Sequence, residues 1–162
     1  MNTKTLLPIL MIALIGVLAS CGGNDTEKTT QATTTDNPAA GDQPSSYDPK
    51  RGEGKFDETN VIVATLDASL AEKGKGVANT KCISCHKLSD EKLVGPGWKG
   101  VTSRHTPYWI MNFITNPDPM IDKDPKVQAQ LELCLVRMPN QNLSDEEARS
   151  VLEFMRQNDG VN

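Results

Sequence analysis

Hydrophobic and polar positions divide the chain into three stretches. Leu6 to Ala19 is an almost unbroken apolar run. From Gly22 to about Asn60 the residues are mainly Thr, Asp, Asn, Gly, Pro, Ser and Gln with no apolar period, so this stretch reads as disordered. Val61 to Leu66 is a short β-prone run expected to lie extended against a domain that begins near Asp67. Beyond it, start signals and apolar faces recur at helical spacing. Ser69 with Glu72 forms a capping-box pattern that predicts a helix to about Lys81. Thr106-Pro107 predicts a second helix through Tyr108 to Ile114, which must stop before Asn116-Pro117. Asp124-Pro125 repeats the device, with Val127, Leu131 and Cys134 or Leu135 on one face. Leu143-Ser144-Asp145-Glu146-Glu147 is another capping box, with acidic residues at the positive end of the helix dipole and Val151, Leu152, Phe154 and Met155 behind it. No strand pairing is suggested, so the expected class is all-α, with about four helices. A domain of about 95 residues has a thin core by itself and needs further buried apolar area.

The apolar run at the start changes the organisation. Lys4, the run and Leu18-Ala19-Ser20-Cys21 together read as a targeting segment over residues 1–20. The run is too short for a confident transmembrane helix, and Leu-Ala-Ser-Cys resembles a bacterial lipobox, in which the cysteine is acylated and becomes the mature N-terminus. The alternative is an ordinary secretory signal with Cys21 incidental. The expected organisation is a signal peptide at 1–20, a disordered acylated tether at 21–60 and a folded domain at 61–162. The expected location is the periplasmic side of a bacterial membrane, with a lipid on Cys21.

Charge excludes one class of partner. The chain has 17 basic and 21 acidic residues, net −4, and loss of residues 1–20 removes only Lys4, leaving −5. Nucleic-acid binding is disfavoured. The balance is uneven, because residues 70–105 hold seven basic side chains against three acidic ones, while the flanking regions are acidic. Lys81, Lys87 and Arg137 were therefore the expected centre of a positive docking face.

The decisive chemistry is Cys82-Ile83-Ser84-Cys85-His86. Two thiols three positions apart followed by His form the attachment signature of a c-type haem, in which both thiols add to vinyl groups and the His ligates iron. A thioredoxin-like dithiol would need a βαβ context, and half of a zinc site would need a second ligand pair; neither is found. With Cys21 assigned to lipid and Cys82 and Cys85 to haem, only Cys134 remains of the four cysteines, expected to be a small buried hydrophobe.

With that motif and helix order, residues 67–160 resemble a class I c-type cytochrome. Gly95-Pro96-Gly97-Trp98-Lys99-Gly100 resembles the family's Gly-Pro loop, which implies that the Pro96 carbonyl accepts a hydrogen bond from His86. The resemblance implies a propionate contact for Arg104, close crossing of the first and last helices at Gly74, and one covalent haem c. Ala78 departs from the family, which usually has an aromatic there, so the crossing should be less filled or filled from the Val61–Leu66 run. The axial methionine is expected to be Met138, in Arg137-Met138-Pro139-Asn140, with Met120 or His105 as alternatives and Met111 and Met155 as core filler. The implied function is single-electron transfer rather than an enzymatic reaction, with redox partner proteins such as nitrous oxide reductase or a haem-copper oxidase. The other readings are a haem enzyme or gas sensor with a labile sixth ligand, and a tethered subunit of a larger oxidoreductase.

Overall fold

The computed structural model describes residues 47–162; the expected signal segment, Cys21 and the tether as far as residue 46 lie outside the described residues. Six helices and no strand form among those described: α1 (Ala68–Lys81), α2 (Val101–Arg104), α3 (Pro107–Thr115), α4 (Pro117–Lys123), α5 (Pro125–Cys134) and α6 (Asp145–Asn158). The chain is all-α, as its periodicity implies, with two more helices than expected. One is the single turn α2. The other is α4, because Pro117, which ends α3, also occupies the first turn of a new helix. No described helix is long and apolar enough to cross a membrane.

Local chemistry accounts for most boundaries. Thr106 Oγ1 accepts from Trp109 N at 3.2 Å to open α3, and Asp124 Oδ1 accepts from Lys126 N and Val127 N to open α5. Ser144 and Glu147 exchange both bonds of a capping box at α6. The first helix differs from expectation: Asp67, not Ser69, is its N-cap and accepts from Leu70 N at 2.9 Å. The Asp67 amide is itself tied to the fully buried Glu153 carboxylate of α6, which sets the start of the helix two residues earlier.

The core is organised by α1 crossing α6, the largest contact between helices. A Cβ at Gly74 would lie 1.9 Å from Ser150 O and 2.8 Å from Val151 N, so only glycine permits this approach of backbones. Ala78 is fully buried at the same crossing. The Val61–Leu66 run makes no strand, yet Val61 is buried, Val63 packs on the core, and Arg156 Nη2 donates to Ala64 O.

Residues 47–60 correct the expected domain boundary. Expected in the tether, they form turns packed on α3 and α4. Asn112 is 1 % exposed and clamps the segment, accepting from Phe56 N at 2.9 Å and donating to Arg51 O and Phe56 O. The buried Asp124 carboxylate accepts from Trp109 Nε1 at 3.0 Å and from Tyr47 Oη at 2.5 Å. Burial followed by that hydrogen bond raises the Tyr47 pKa beyond its ordinary value. The folded unit therefore includes residues 47–60.

Candidate functional site

The Cys-x-x-Cys-His motif begins where α1 ends. Cys82 is the C-cap, and Cys85 N and His86 N both donate to Cys82 O at 3.0 Å, which turns the chain sharply under the helix. Gly95 N donates to Cys85 O at 2.8 Å and Trp98 N to Lys87 O at 2.9 Å, so residues 87–98 fold back against the motif. This return brings Pro96 O within 2.8 Å of His86 Nδ1. Gly95 makes the approach possible, since a Cβ there would lie 2.5 Å from His86 Cε1.

The electrostatic consequence is a neutral, oriented imidazole. Burial lowers the His86 pKa below its ordinary value, and the Pro96 hydrogen bond only partly opposes it. With Nδ1–H donating to Pro96 O, Nε2 carries the lone pair that a metal requires. Trp98 is buried with its ring centroid 5.7 Å from that of His86 and 6.3 Å from that of Phe154, so the imidazole is braced from α6. Cys82 and Cys85 form no disulfide with one another. Burial pushes the Cys82 thiol up to about 11, opposed by Lys81 and reinforced by Cys85, so it is a protonated thiol at neutral pH.

These residues fit a covalently held haem. Two thiols three positions apart followed by an imidazole oriented by a carbonyl are the donor set for a haem attached through thioethers. Exposed Leu88, Leu93 and Val94 follow the motif, and exposed Leu133, Leu135 and Val136 precede Met138. They leave apolar surface uncovered on both sides of the site, and Leu133 lines the cavity there. Lys92 Nζ donates to Leu133 O at 2.8 Å and joins the two segments. A cavity of about 430 Å³ opens between them, lined by Pro96, Gly97, Arg104 and Leu133 together with Lys92 and Lys99.

The methionines separate by burial. Met111, Met120 and Met155 are all buried, with Met120 fully enclosed beneath Gly52, whereas Met138 is half-buried and packs against the edge of the core. His105 stacks on Trp109 with centroids 3.8 Å apart. Burial first, and then repulsion from Lys126 and Arg104, lowers its pKa to about 4. Arg104 is exposed at the cavity, donating to Lys99 O at 2.7 Å and to Gly97 O at 3.3 Å.

Two expectations about side chains are corrected. Lys81, Lys87 and Arg137 are not a free positive face: Lys81 pairs with Glu147 at 3.1 Å, Lys87 with Glu91 at 2.8 Å, and Arg137 with Asp118 and Asp122 at 3.1 Å. Among the described residues, Lys92, Lys99 and Arg104 beside the cavity bond to carbonyls and form no ion pair, while Asp90 is the carboxylate that also lines it. Cys134 is half-exposed at the end of α5, with Gln130 Nε2 3.6 Å from its sulfur, rather than buried. Sequence reasoning passed over Trp98 as the brace of His86 and over Asn112 as the clamp. Trp98, within the Gly-Pro loop, carried a usable signal, while Asn112 carried none.

An all-α shell that brings the Cys82 and Cys85 sulfurs and a neutral imidazole oriented by a carbonyl to one end of α1 defines a protein of the c-type haem class. The family comparison agrees: the chain belongs to the cytochrome c family, whose model matches residues 71–159. It is thus an electron-carrier haem protein with one covalently attached haem c. Among solved structures it is similar to a cytochrome c from Rhodothermus marinus, at 35% identity and a TM-score of 0.61, over 68% of this chain and 92% of that one. It is also similar to an engineered Rhodothermus marinus cytochrome c, Rma TDE, at 34% identity and a TM-score of 0.61, over 69% of this chain and 98% of that one. That engineered protein bound to a carbene intermediate gives a TM-score of 0.58 at the same identity. A comparison with curated protein sequences finds no match.

Proposed function

We propose that the chain is a lipid-anchored, single-electron carrier on the periplasmic side of a bacterial membrane, passing electrons from respiratory components to a terminal reductase or oxidase. Nitrous oxide reductase and haem-copper oxidases are the partner types that its sequence favours. Cys82 and Cys85 hold the haem through thioethers, His86 is the proximal ligand and Met138 the distal one. Haem iron supplies a one-electron ferric/ferrous couple when bound. The observation that carries the reading is the contrast between His86, fixed by Pro96 with Nε2 free, and Met138, the one half-buried methionine of the four described.

The chain's own residues account for the rest. Pro96 O fixes the imidazole tautomer, and Trp98 keeps water from its inner side. The Met138 thioether, a soft donor, would favour the reduced state of a bound haem iron, and together with His86 it would leave no open position for a substrate. Arg104, with Lys99 and Lys92 beside it, is placed to meet the haem carboxylates. Cys21 supports the anchor through its lipobox-like setting.

Met138→Ala tests the assignment. The variant should retain haem, lose the thioether-to-iron absorption at the red end of the ferric spectrum, bind carbon monoxide when reduced, and have a lower reduction potential. An unchanged spectrum and potential would refute Met138 and return the distal role to Met120 or His105.

A further inference from the structure

Among the described residues, the segment that carries Met138 is tied to the rest of the fold by a single polar side chain. From Val136 to Asn142, no described backbone group bonds to another backbone group. Two of its other hydrogen bonds stay within the segment, Gln141 Nε2 to Pro139 O and Asn142 N to Asn140 Oδ1. Leu135, at φ 60°, ends α5 and releases the chain, and Val136, Pro139 and Asn140 are exposed. The exception is Arg137, immediately before Met138. Its Nη1 donates to Asp122 Oδ1, and its Nη2 donates to Asp118 Oδ1 and Asp122 Oδ1, all at 3.1 Å.

Asp118 and Asp122 stand one turn apart on α4, which is a firm mount. Pro117, Met120 and Ile121 are buried on its inner face, and Met120 is pressed beneath Gly52. An exposed ion pair of this kind adds little to global stability. Its effect is geometric, because a planar guanidinium held at two points fixes both the position and the direction of the backbone that bears it.

We propose that Arg137 is a positioning residue for the distal iron ligand: its fork on Asp118 and Asp122 holds the Met138 segment in register with the haem site. This rests on the assignment of Met138 in the proposed function. When the fork is released, the segment samples positions with Met138 withdrawn, and an external ligand competes more effectively for the iron.

The test is imidazole titration of the ferric holoprotein, with the red thioether band and thermal melting followed in parallel. An external ligand binds in proportion to the fraction of molecules whose site is open, so Arg137→Gln should bind imidazole about five- to tenfold more tightly than the unaltered protein. Asp118→Asn/Asp122→Asn, which leaves Arg137 in place, should do the same. Arg137→Lys keeps the charge without the fork and should fall between, at about twofold. A merely structural tie would lower the melting temperature and leave imidazole affinity unmoved. Affinity within about twofold of the unaltered protein in both Arg137→Gln and the double variant would overturn the proposal. If the unaltered protein shows no thioether band for Met138→Ala to abolish, the Met138 assignment fails, and this inference with it. A band present, lost in Met138→Ala and insensitive to Arg137→Gln in the titration would overturn the positioning role alone.

Discussion

Gly74→Ala probes the contact on which the fold depends. The new Cβ would stand 1.9 Å from Ser150 O, 2.4 Å from Ser150 C and 2.8 Å from Val151 N. Carbon atoms pack at about 3.5–4.0 Å, so α1 and α6 must part by roughly 1 Å or more, and a gap of that size forfeits up to about half of each dispersion contact across the crossing. Ala71, Ala78, Ala148 and Val151, all buried, lose packing together. Overpacking commonly costs about 1–3 kcal/mol, and backbone obstacles that cannot rotate aside place this case at or above the upper end. Ala returns about 1 kcal/mol in helix propensity, leaving a net loss of about 2–3 kcal/mol. For a domain of this size that is a fall of roughly 10–20 °C in melting temperature. Gly76→Ala is the control, since it lies in the same helix with nothing within 4 Å of its added Cβ. It should gain about 0.5–1 kcal/mol. Far-ultraviolet circular dichroism of the two holoproteins measures both. The propensity gain cancels in the comparison, so melting temperatures within a few degrees of one another would refute the close crossing.

Three further outcomes are expected. Asn112→Ala removes three hydrogen bonds to the backbone at Arg51 and Phe56 and should raise the rate of proteolytic cutting within residues 47–60 about tenfold; an unchanged rate would mean that the segment is held by something else. His105 is neutral in the folded state down to a pKa of about 4, whereas the unfolded chain takes up its proton near 6.5, so this contribution to stability is complete above about pH 6.5 and is lost as pH falls towards 4. The limit of about 3 kcal/mol drops to about 1–2 kcal/mol after screening at a ring that solvent still reaches, and His105→Phe should flatten the fall in melting temperature between pH 7 and 5, while parallel slopes would count against it. Among the described residues Lys99 has no carboxylate partner and Lys81 has Glu147, so Lys99→Glu should slow association with a redox partner more than Lys81→Glu, in a salt-dependent manner; equal effects would remove Lys99 from the docking face.

The sequence by itself determined what short-range chemistry controls. Helix starts at Thr106-Pro107, Asp124-Pro125 and Ser144–Glu147 are readable because a cap satisfies backbone donors two or three residues away. The haem motif is readable because its chemistry needs fixed spacing along one stretch of chain. Pro96 was legible through resemblance to the Gly-Pro loop, and the structure supplies the 2.8 Å contact with His86. Only the tertiary structure decided the rest. Asp67 rather than Ser69 caps α1 because Glu153, 86 positions away, holds the Asp67 amide. Residues 47–60 lack periodicity and yet fold, because isolated contacts hold them: the Tyr47 hydroxyl donates to Asp124, the Asn112 side chain bonds the backbone of Arg51 and Phe56, and the Phe56 ring is buried in the core. The same limit applies to charge. Composition showed an excess of lysine around the motif, but whether a cation faces a partner depends on which carboxylate folding brings to it, and Glu147, Asp118 and Asp122 reach Lys81 and Arg137 only through the packing of α4 and α6.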